Sequence, residues 1–401
     1  MRQTVRANRA ECTGCGACVS ICPRGAIAMQ PDEEGFLYPA VDGGRCIGCD
    51  LCEKRCPAGK TPPENRTQVF GAQHRDEAVR RASSSGGVFT ALARAVLKKG
   101  GVVFGAAFDE ALRVEHIGAF DEAELSGMRG SKYVQSDAAD AVAHAASLLE
   151  RGIPVLFSGT PCQIAGLKAR VGEKHAELLL TIDFVCHGVP SPGVFASYLR
   201  ALEAKRGSRV TRYAFREKRR GWADFSAVAT FEDGTEHVGQ QKTEPFLYGF
   251  LQNLYLRPSC MRCTQMRGAH HPADITMADF WGVDLVCPER NDDTGLSLVV
   301  VNTRRGRQAF DACRAQLNTF PVRGTEKLLG ENPSIAYAAT AHKKRDQFFR
   351  FYRRRGFDGA YVMKLLAGPG RVERLIRRIA HLPKGFRRRM GVLAKRIKRQ
   401  T

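Results

Sequence analysis

Short apolar runs alternate with amphipathic segments through the middle of the chain. The runs at 102–108 and 178–185 are short and rich in branched residues, which is typical of buried strands, whereas the apolar positions of 88–97 recur at helical spacing. Such alternation predicts an α/β fold. The predicted elements are strands at 102–108, 113–120, 153–157 and 178–185, a strand beginning at 273, helices at 88–97, 137–150 and 244–254, a helix beginning near 164, and a strand followed by a helix within 296–317.

The two ends of the chain differ from this middle part. The first sixty residues hold eight of the fourteen cysteines, and Pro62 and Pro63 then mark a linker. Beyond about residue 340 the chain is basic and has helical spacing. We therefore predict an α/β protein with some α+β elements and three regions: 1–62, 63–325 and 326–401.

Composition and charge narrow the possible partners. The chain has 401 residues, 43% of them hydrophobic, which is enough for more than one domain. Its formal net charge is +21, and residues 371–399 contain twelve Lys or Arg and one acidic residue. The segments 372–382 and 386–397 of this tail have apolar residues at helical spacing among arginines, which is typical of helices lying on an anionic membrane surface. A solvated tail, or one that docks a donor protein, fits equally well.

No helix-turn-helix or RNA-binding signature accompanies this charge, so we do not predict a nucleic-acid partner. Residues 1–11 lack the apolar stretch of 7–15 residues that a signal peptide requires, and the longest apolar runs are far shorter than a membrane-spanning helix. We expect a protein of the reducing cytoplasm, with the basic tail as a candidate contact to the inner face of the membrane.

Two cysteine runs near the N-terminus share the spacing C-x2-C-x2-C-x3-C-P. In bacterial-type ferredoxins of this spacing, three thiolates bind one cubane and the fourth reaches across to the other. The predicted ligands are Cys12, Cys15, Cys18 and Cys56 for one [4Fe–4S] cluster, and Cys46, Cys49, Cys52 and Cys22 for a second. Zinc sites seldom use such runs, and disulfides need an oxidising compartment. Residues 1–62 are therefore predicted to form a small dicluster ferredoxin domain.

Four further cysteines are placed to converge in the α/β domain. Cys162 and Cys186 each follow a predicted strand, at the edge where open α/β sheets carry their sites, and Cys260 and Cys263 form a C-x2-C pair. Four thiolates from three loops suit a third [4Fe–4S] cluster, with a structural zinc as the main alternative. Cys162 and Cys186 taken singly also fit inert core positions. We interpret the remaining two as core residues: Cys287 and Cys313.

Three polar stretches have features of a nucleotide site. Residues 83–87 predict a serine-capped helix start, whose N–H groups suit either a pyrophosphate or no ligand at all. Lys132 and Tyr133 suit a phosphate and a flat ring, and Asp279 and Trp281 suit a planar cofactor, although each is also common at ordinary surface or core positions. No G-x-G-x-x-G motif joins a strand to a helix, so a Rossmann dinucleotide site is not predicted.

Together and in order, these motifs resemble the coenzyme F-420 hydrogenase/dehydrogenase beta-subunit family. This family includes the deazaflavin-reducing subunits of archaeal hydrogenases and formate dehydrogenases, and 7-hydroxymethyl chlorophyll a reductases are relatives. The resemblance covers about residues 65–320. It rests on Ser84-Ser85-Gly86-Gly87, Gly130-Ser131-Lys132-Tyr133, Gly159-Thr160-Pro161-Cys162-Gln163, Cys186-His187-Gly188-Val189-Pro190-Ser191, Cys260-x2-Cys263 and Asp279-Phe280-Trp281-Gly282.

The resemblance implies an FAD and a [4Fe–4S] cluster in the α/β domain, and it favours the phosphate interpretation of residues 83–87. The residues that match the cluster ligands of the family are Cys162, Cys186, Cys260 and Cys263. Those that resemble its FAD-contacting stretches are Ser85, Gly86, Gly87, Ser131, Lys132 and Tyr133.

These features together predict a function. Iron–sulfur clusters exchange single electrons, whereas a hydride acceptor takes two electrons and a proton, and a flavin connects the two. We expect an iron–sulfur flavoprotein oxidoreductase that passes electrons from a ferredoxin-like donor through [4Fe–4S] clusters to FAD and on to an organic hydride acceptor. A non-catalytic electron-transfer subunit of a larger redox complex is the alternative. His187, beside a predicted cluster ligand, is a candidate proton donor, or else a hydrogen-bond partner that tunes a cluster or the flavin.

Overall fold

A computed structural model of the chain describes residues 8–266, 268–323, 328 and 330–367. The basic segments 372–382 and 386–397, and with them the predicted membrane contact, lie outside these residues. Within the described part the chain is a mixed α/β protein, as the alternating pattern predicts.

The strands form one large and two small sheets. Their bounds are β1 (Ile27–Pro31), β2 (Leu37–Val41), β3 (Gln68–His74), β4 (Val102–Phe108), β5 (Val114–Ala119), β6 (Val155–Ser158), β7 (Leu179–Phe184), β8 (Val210–Glu217), β9 (Ser226–Phe231), β10 (Glu236–Gln240), β11 (Ile275–Asp279), β12 (Ser297–Val301) and β13 (Leu317–Pro321). The large sheet has the order β13-β3-β12-β11-β7-β6-β4-β5. Its four central strands, β11, β7, β6 and β4, are parallel, and the strands outside them pair antiparallel.

The helices are α1 (Ala17–Ile21), α2 (Leu51–Lys54), α3 (Glu77–Ala82), α4 (Val88–Leu97), α5 (Ala139–Glu150), α6 (Pro161–Val171), α7 (Pro192–Arg206), α8 (Pro245–Leu251), α9 (Val283–Val286), α10 (Arg304–Cys313), α11 (Arg345–Arg355) and α12 (Gly359–Leu366). The helices predicted from spacing begin and end within about three residues of these bounds. Most of the deviation falls at helix ends, where capping decides the boundary.

Apolar helix stripes cover both faces of the large sheet. On one face, Leu92 of α4 and Phe310 of α10 pack against Ile182 of β7. On the other face, Val142 of α5 and Leu167 of α6 pack among buried strand residues. Both faces of the parallel strands are therefore buried, which explains why those strands appear as continuous apolar runs rather than as an alternating pattern.

A second core lies around the antiparallel sheet β10-β9-β8, which the sequence pattern did not predict. Phe195 of α7, Phe215 of β8 and Phe246 of α8 are fully buried there, with ring centroids 5.2–6.0 Å apart. Phe348 of α11 and Val362 of α12 pack into the same core. The described C-terminal helices thus pack against the central part of the chain.

The cysteine-rich N-terminal region docks against the large domain through α1. Gly16, at the start of α1, has a φ of 78°, and a Cβ there would lie 2.8 Å from the Cα of Ala139 in α5. Only glycine permits this backbone-to-backbone approach. The linker at 62–65 also contacts the large domain, because the Asn65 side chain donates a hydrogen bond to the carbonyl of His271 at 2.8 Å.

No helix among the described residues is both long enough and apolar enough to cross a membrane.

Candidate functional site

A cavity of about 530 Å³ lies at the carboxyl ends of the central strands. Thr160 and Cys162 follow β6, Cys186 and His187 follow β7, and Trp281 follows β11; all five line the cavity. The loops after parallel strands meet at one sheet edge, so residues far apart in the sequence converge there. The volume is typical of a small-molecule or cofactor site.

The start of α4 lacks the predicted serine cap. Its N-cap residue is Gly87, with a φ of 82° and no side-chain hydrogen bond to the helix. The serine hydroxyls bond elsewhere: Ser83 donates to the Val79 carbonyl (2.7 Å), Ser85 donates to the Leu296 carbonyl (2.6 Å), and Ser84 shares a hydrogen bond with Ser131 (2.8 Å). The prediction was wrong because the left-handed backbone at Gly87 turns the chain before any serine reaches the helix N–H groups. Ser85, Gly87 and Ser131 nevertheless line the cavity.

Gly86 has a packing role. It is buried, does not line the cavity, and its N–H donates to Ser297 Oγ at 3.0 Å. A Cβ on Gly86 would lie 2.3 Å from the carbonyl oxygen of Ala72 in β3. The glycine therefore lets the 83–87 loop lie directly against the sheet.

Lys132 and Tyr133 line the cavity but make internal contacts. Lys132 Nζ donates to the carbonyls of Gly127 (2.7 Å), Arg129 (2.9 Å) and Gly130 (3.3 Å), and burial lowers the pKa of Lys132 to about 7. An ammonium group has three N–H donors, so these carbonyls use its donors fully. The Tyr133 ring stacks on Phe250, with centroids 4.8 Å apart.

Asp279 and Trp281 form one wall of the cavity together with a buried arginine that sequence reasoning missed. The guanidinium of Arg216 pairs with Asp279, whose other oxygen accepts from the Trp222 indole N–H at 3.2 Å. Trp281 stacks on Trp222, with centroids 4.6 Å apart and planes 9° apart. Asp279 thereby positions the wall through its hydrogen bonds.

Arg216 keeps unused hydrogen-bond donors. Its side chain is only 2% exposed, and Nε and Nη2 have no hydrogen-bond partner among the described residues. Burial opposes the charge of the guanidinium, but the Asp279 carboxylate and the Tyr133 side chain, which is also a hydrogen-bond partner, raise the pKa of Arg216. Sequence reasoning missed Arg216 because nothing in the local sequence of β8 distinguishes it from the other basic residues of the 209–220 stretch.

His187 lies against Phe250, with ring centroids 5.1 Å apart in an edge-on arrangement. Burial lowers the pKa of His187, and hydrogen bonds with the Asn253 side chain and the Phe250 backbone oppose the shift. Its Nε2 is buried without a partner in the described part of the chain. Burial thus disfavours the charged imidazolium, and one ring nitrogen has no hydrogen-bond partner among the described residues.

The four cysteines of the central domain lie close together. Cys162 is in the first turn of α6, Cys186 follows β7, Cys260 lies in the 3-10 helix Pro258–Arg262, and Cys263 follows that helix. Burial, with the charges of Cys162 and Cys263, raises the pKa of the Cys260 thiol to about 12. Burial also raises the pKa of Cys186, as do the charges of Cys260, Cys162 and Cys263. Such thiols ionise together only when a bound cation compensates their charge, which fits ligands of an iron–sulfur cluster.

In the N-terminal region the structure brings together the first predicted ligand set. Burial raises the pKa of Cys15 to about 12, and the neighbouring charges that contribute to this shift include those of Cys12 and Cys56. Cys12, Cys15 and Cys56 also raise the pKa of Cys18. Cys56, from the second run, therefore lies beside the first three cysteines, as the crossed ligand pattern predicts. In the described residues, no three His, Cys, Asp or Glu side chains are grouped so that they could hold a single metal ion.

The two cysteine groups adjoin each other. Cys162 is among the charges that raise the pKa of Cys15, and the Thr13 side chain is a hydrogen-bond partner of Cys162. A Cβ on Gly166 of α6 would lie 2.8 Å from Cys15 Sγ. Because Gly166 has no Cβ, the N-terminal cysteine group that contains Cys15 can lie directly against the central cysteine group.

A hydrogen-bond chain runs from Cys162 into the protein. Thr160 Oγ1 lies 3.1 Å from Cys162 Sγ and 3.0 Å from Gln163 Oε1. Gln163 Nε2 donates to Ser136 Oγ at 2.9 Å, and Ser136 bonds to Nδ1 of buried His116 at 2.9 Å. The Thr160 backbone N–H also donates to Gln163 Oε1 at 2.9 Å. The Thr160 hydroxyl therefore has two acceptors within reach, one of them a sulfur atom.

The remaining two cysteines agree with their core interpretation. Cys313 is fully buried and its thiol donates to the Phe310 carbonyl at 3.2 Å. Cys287 is partly buried and packs against an apolar cluster that contains Phe280.

Comparisons with known proteins agree with these motifs. Two stretches match the family described as "Coenzyme F420 hydrogenase/dehydrogenase, beta subunit": residues 69–143 match its N-terminal part, and residues 154–322 match its C-terminal part. Residues 11–60 match a "4Fe-4S dicluster domain".

Among solved structures, the chain is similar to a chain of the F420-reducing [NiFe] hydrogenase complex from Methanosarcina barkeri. The two are 18% identical, the match covers 68% of this chain and 90% of that one, and the TM-score is 0.47. No curated protein matches the sequence. The two parts of this family's model together match more than half of the residues of the chain. The chain therefore belongs to the coenzyme F420 hydrogenase/dehydrogenase beta-subunit family, and it carries an N-terminal 4Fe–4S dicluster domain for electron transfer.

Proposed function

We propose that the chain is an iron–sulfur flavoprotein oxidoreductase that passes electrons from a ferredoxin-like donor through three [4Fe–4S] clusters to FAD and on to an organic hydride acceptor. The observation that carries the proposal is that Cys162 and Cys186 line the same 530 Å³ cavity as Ser85, Gly87 and Ser131. A cluster held by Cys162, Cys186, Cys260 and Cys263 would border that cavity directly.

The chemistry of the cavity wall fits a flavin. Arg216 offers two unused N–H donors and His187 one unused ring nitrogen, and both residues line the cavity. A flavin ring carries carbonyl and nitrogen atoms that match such groups, and the Ser84–Ser131 pair, Ser85 and Gly87 form the wall that we assign to the rest of the cofactor. When bound, the flavin supplies the conversion between single electrons and hydride.

The protein itself would orient the cofactor and exclude water. Phe250 and Trp281 provide apolar surface in the cavity, and buried Arg216, fixed by Asp279, keeps a positive charge there. A fixed positive charge in a dry site stabilises negative charge that develops during reduction. We assign His187 a hydrogen-bonding role toward cofactor or acceptor through Nε2; His187→Asn with unchanged turnover would exclude a role as proton donor.

The test is anaerobic purification followed by iron, sulfide and flavin determination. About twelve irons and one FAD per chain are expected from three four-iron clusters. Cys162→Ser should lower the iron content by about four, whereas Cys287→Ser, which changes a cysteine outside the predicted ligand sets, should leave it unchanged. Zinc at the Cys162 group, or protein without a flavin chromophore, would contradict the proposal.

Turnover separates the proposed enzyme from a non-catalytic electron-transfer subunit. The enzyme should reduce a small hydride acceptor when supplied with a chemical reductant alone. A subunit would retain clusters and flavin but would turn over nothing without a partner protein. The redox partner, the small-molecule acceptor, the cytoplasmic location and the membrane contact of the basic tail all remain predictions.

A further inference from the structure

The second predicted cluster of the N-terminal region lies at the protein surface. Of its predicted ligands, Cys49 is exposed. Its neighbours Ile47 and Leu51 are 63% and 37% exposed. Among the described residues only seven large apolar side chains are exposed, and two of them flank this cysteine: Ile47, Leu51, Phe120, Phe184, Val238, Leu285 and Tyr337.

The first predicted cluster lies against the central domain. Cys15 is buried and lies against Gly166 and Cys162 of the central domain. The N-terminal region therefore has an inner end, beside the central cysteines, and an outer end at Cys49. Because electrons pass between proteins only where cofactors approach closely, the outer end is where a carrier protein would meet the chain.

The surface near this outer end has surplus positive charge. The two segments that hold the second ligand set, 22–26 and 42–60, carry five cations and three carboxylates: Arg24, Arg45, Lys54, Arg55 and Lys60 against Asp42, Asp50 and Glu53. All five cations are exposed, and none forms an ion pair with another described residue. The segments adjoin, because a Cβ on Gly25 would lie 3.2 Å from the Arg45 guanidinium. Unpaired exposed cations attract an acidic partner and speed its encounter.

We propose that Ile47, Cys49 and Leu51, with the cations Lys54 and Arg55, form the docking surface for an acidic electron-carrier protein. In the transfer step the carrier loses one electron and the outer [4Fe–4S] cluster gains it; no bond breaks and no proton moves. The apolar pair supplies contact area at the centre and the cations form a charged rim, as in other transient protein interfaces. The inference rests on the proposed cluster assignment.

The test follows electron entry directly. An acidic [2Fe–2S] ferredoxin, reduced beforehand, is mixed anaerobically with the full-length protein in a stopped-flow instrument, and the reoxidation rate of the probe is measured. The rate should fall as ionic strength rises, because salt screens steering between opposite charges. Leu51→Asp and the double variant Lys54→Glu/Arg55→Glu should each slow transfer about tenfold at low salt.

A matched control and an iron count make the result interpretable. Leu285, 56% exposed on α9, carries the same kind of exposed apolar side chain elsewhere, and Leu285→Asp should transfer at the wild-type rate. Direct reduction by the methyl viologen radical, a cation, should be no slower in any variant than in the wild type. The double charge variant alters only exposed charged side chains and no apolar contact, so it decides the question if Leu51→Asp loses iron.

Transfer within twofold of wild type in the double variant, or a rate that rises with salt, would overturn the proposal. Failure of the proposed function looks different: a missing flavin or a missing third cluster would leave electron entry into the outer cluster measurable.

Discussion

The guanidinium of Arg257 donates a 2.9 Å hydrogen bond to the backbone carbonyl of Cys12, 245 residues earlier in the chain. The same side chain is fully buried, donates to the Leu37 carbonyl at 3.0 Å and to Gln135 Oε1 at 2.9 Å, and lies 3.9 Å from the Tyr38 ring centroid. One arginine thus joins the first predicted cluster loop, its neighbouring strand and the central domain.

Replacing Arg257 should destabilise the docked N-terminal region. Arg257→Lys keeps the charge, but a point-like ammonium lacks the planar fork that reaches three acceptors. Each buried acceptor left unsatisfied costs about 1–3 kcal/mol, so we expect the free energy of unfolding to fall by about 3 kcal/mol in anaerobic denaturant titrations. Arg113→Gln removes an arginine whose side chain is 80% exposed, and it should leave the free energy of unfolding nearly unchanged. Equal effects of the two variants would show that Arg257 does not hold the regions together.

Thr160→Val should lower the reduction potential of the proposed central cluster. A thiolate bound to iron carries no proton, so the Thr160 hydroxyl can turn toward Cys162 Sγ while the backbone N–H still satisfies Gln163. A donor to a cluster sulfur stabilises the reduced, more negative state. Loss of about 1 kcal/mol corresponds to a decrease of about 40 mV for a one-electron couple, measured by redox titration followed by EPR.

Thr160→Ser retains the hydroxyl and should restore the wild-type potential. An unchanged potential in Thr160→Val would mean that the hydroxyl donates to Gln163 Oε1 even when the cluster is bound.

Gly166→Ala should separate the two cysteine groups. Alanine in a helix interior is normally about 1 kcal/mol more favourable than glycine. Here the new Cβ would meet Cys15 Sγ at 2.8 Å and Cys15 Cβ at 3.0 Å, so the N-terminal loop must shift. We expect slower electron transfer between the N-terminal clusters and the proposed central cluster, measured by rapid-freeze EPR after reduction. Gly127→Ala, where the nearest atom is 3.8 Å away, is the matched control and should transfer normally.

Asp183 should make stability depend on pH in an unusual direction. Burial raises its pKa to about 7, partly opposed by the hydrogen bond from Thr276 Oγ1 at 2.5 Å, and the nearby charges are Lys168 and Asp274. The folded state then binds a proton that the unfolded state has lost above its ordinary pKa near 4. Stability from this group is therefore lost as pH rises toward 7, the opposite of a salt-bridged aspartate.

Asp183→Asn removes that loss. Relative to wild type, the variant should gain up to ~3 kcal/mol in free energy of unfolding between pH 5 and pH 8, since one pKa unit corresponds to about 1.4 kcal/mol and the wild-type loss runs from pH 5 to about pH 7. A constant difference across this range would show that Asp183 titrates as an ordinary carboxyl in the folded protein.

The sequence by itself determined the fold class and most of the central strands and helices, and it predicted how twelve cysteines group. These features have local signatures: a buried parallel strand is a short apolar run, a helix has its own period, and the cysteine runs have cluster spacing. The placement of Cys56 beside Cys15 agrees with that spacing. The loops after β6, β7 and β11 converge at one sheet edge, as parallel topology requires.

Only the tertiary structure decided which residues are free to act in the cavity. Gly87 stands at the cap position predicted for a serine, and Gly86 packs against Ala72. Backbone carbonyls accept all the donors of Lys132. Arg216 and Arg257, by contrast, lie in segments without any motif. A hydrogen-bond partner can come from anywhere in the chain, and whether a buried donor is satisfied depends on atoms that are distant in sequence. Because such partners leave no pattern in the local sequence, the spacing of residues located the site but did not reveal which of its buried polar groups lack a hydrogen-bond partner.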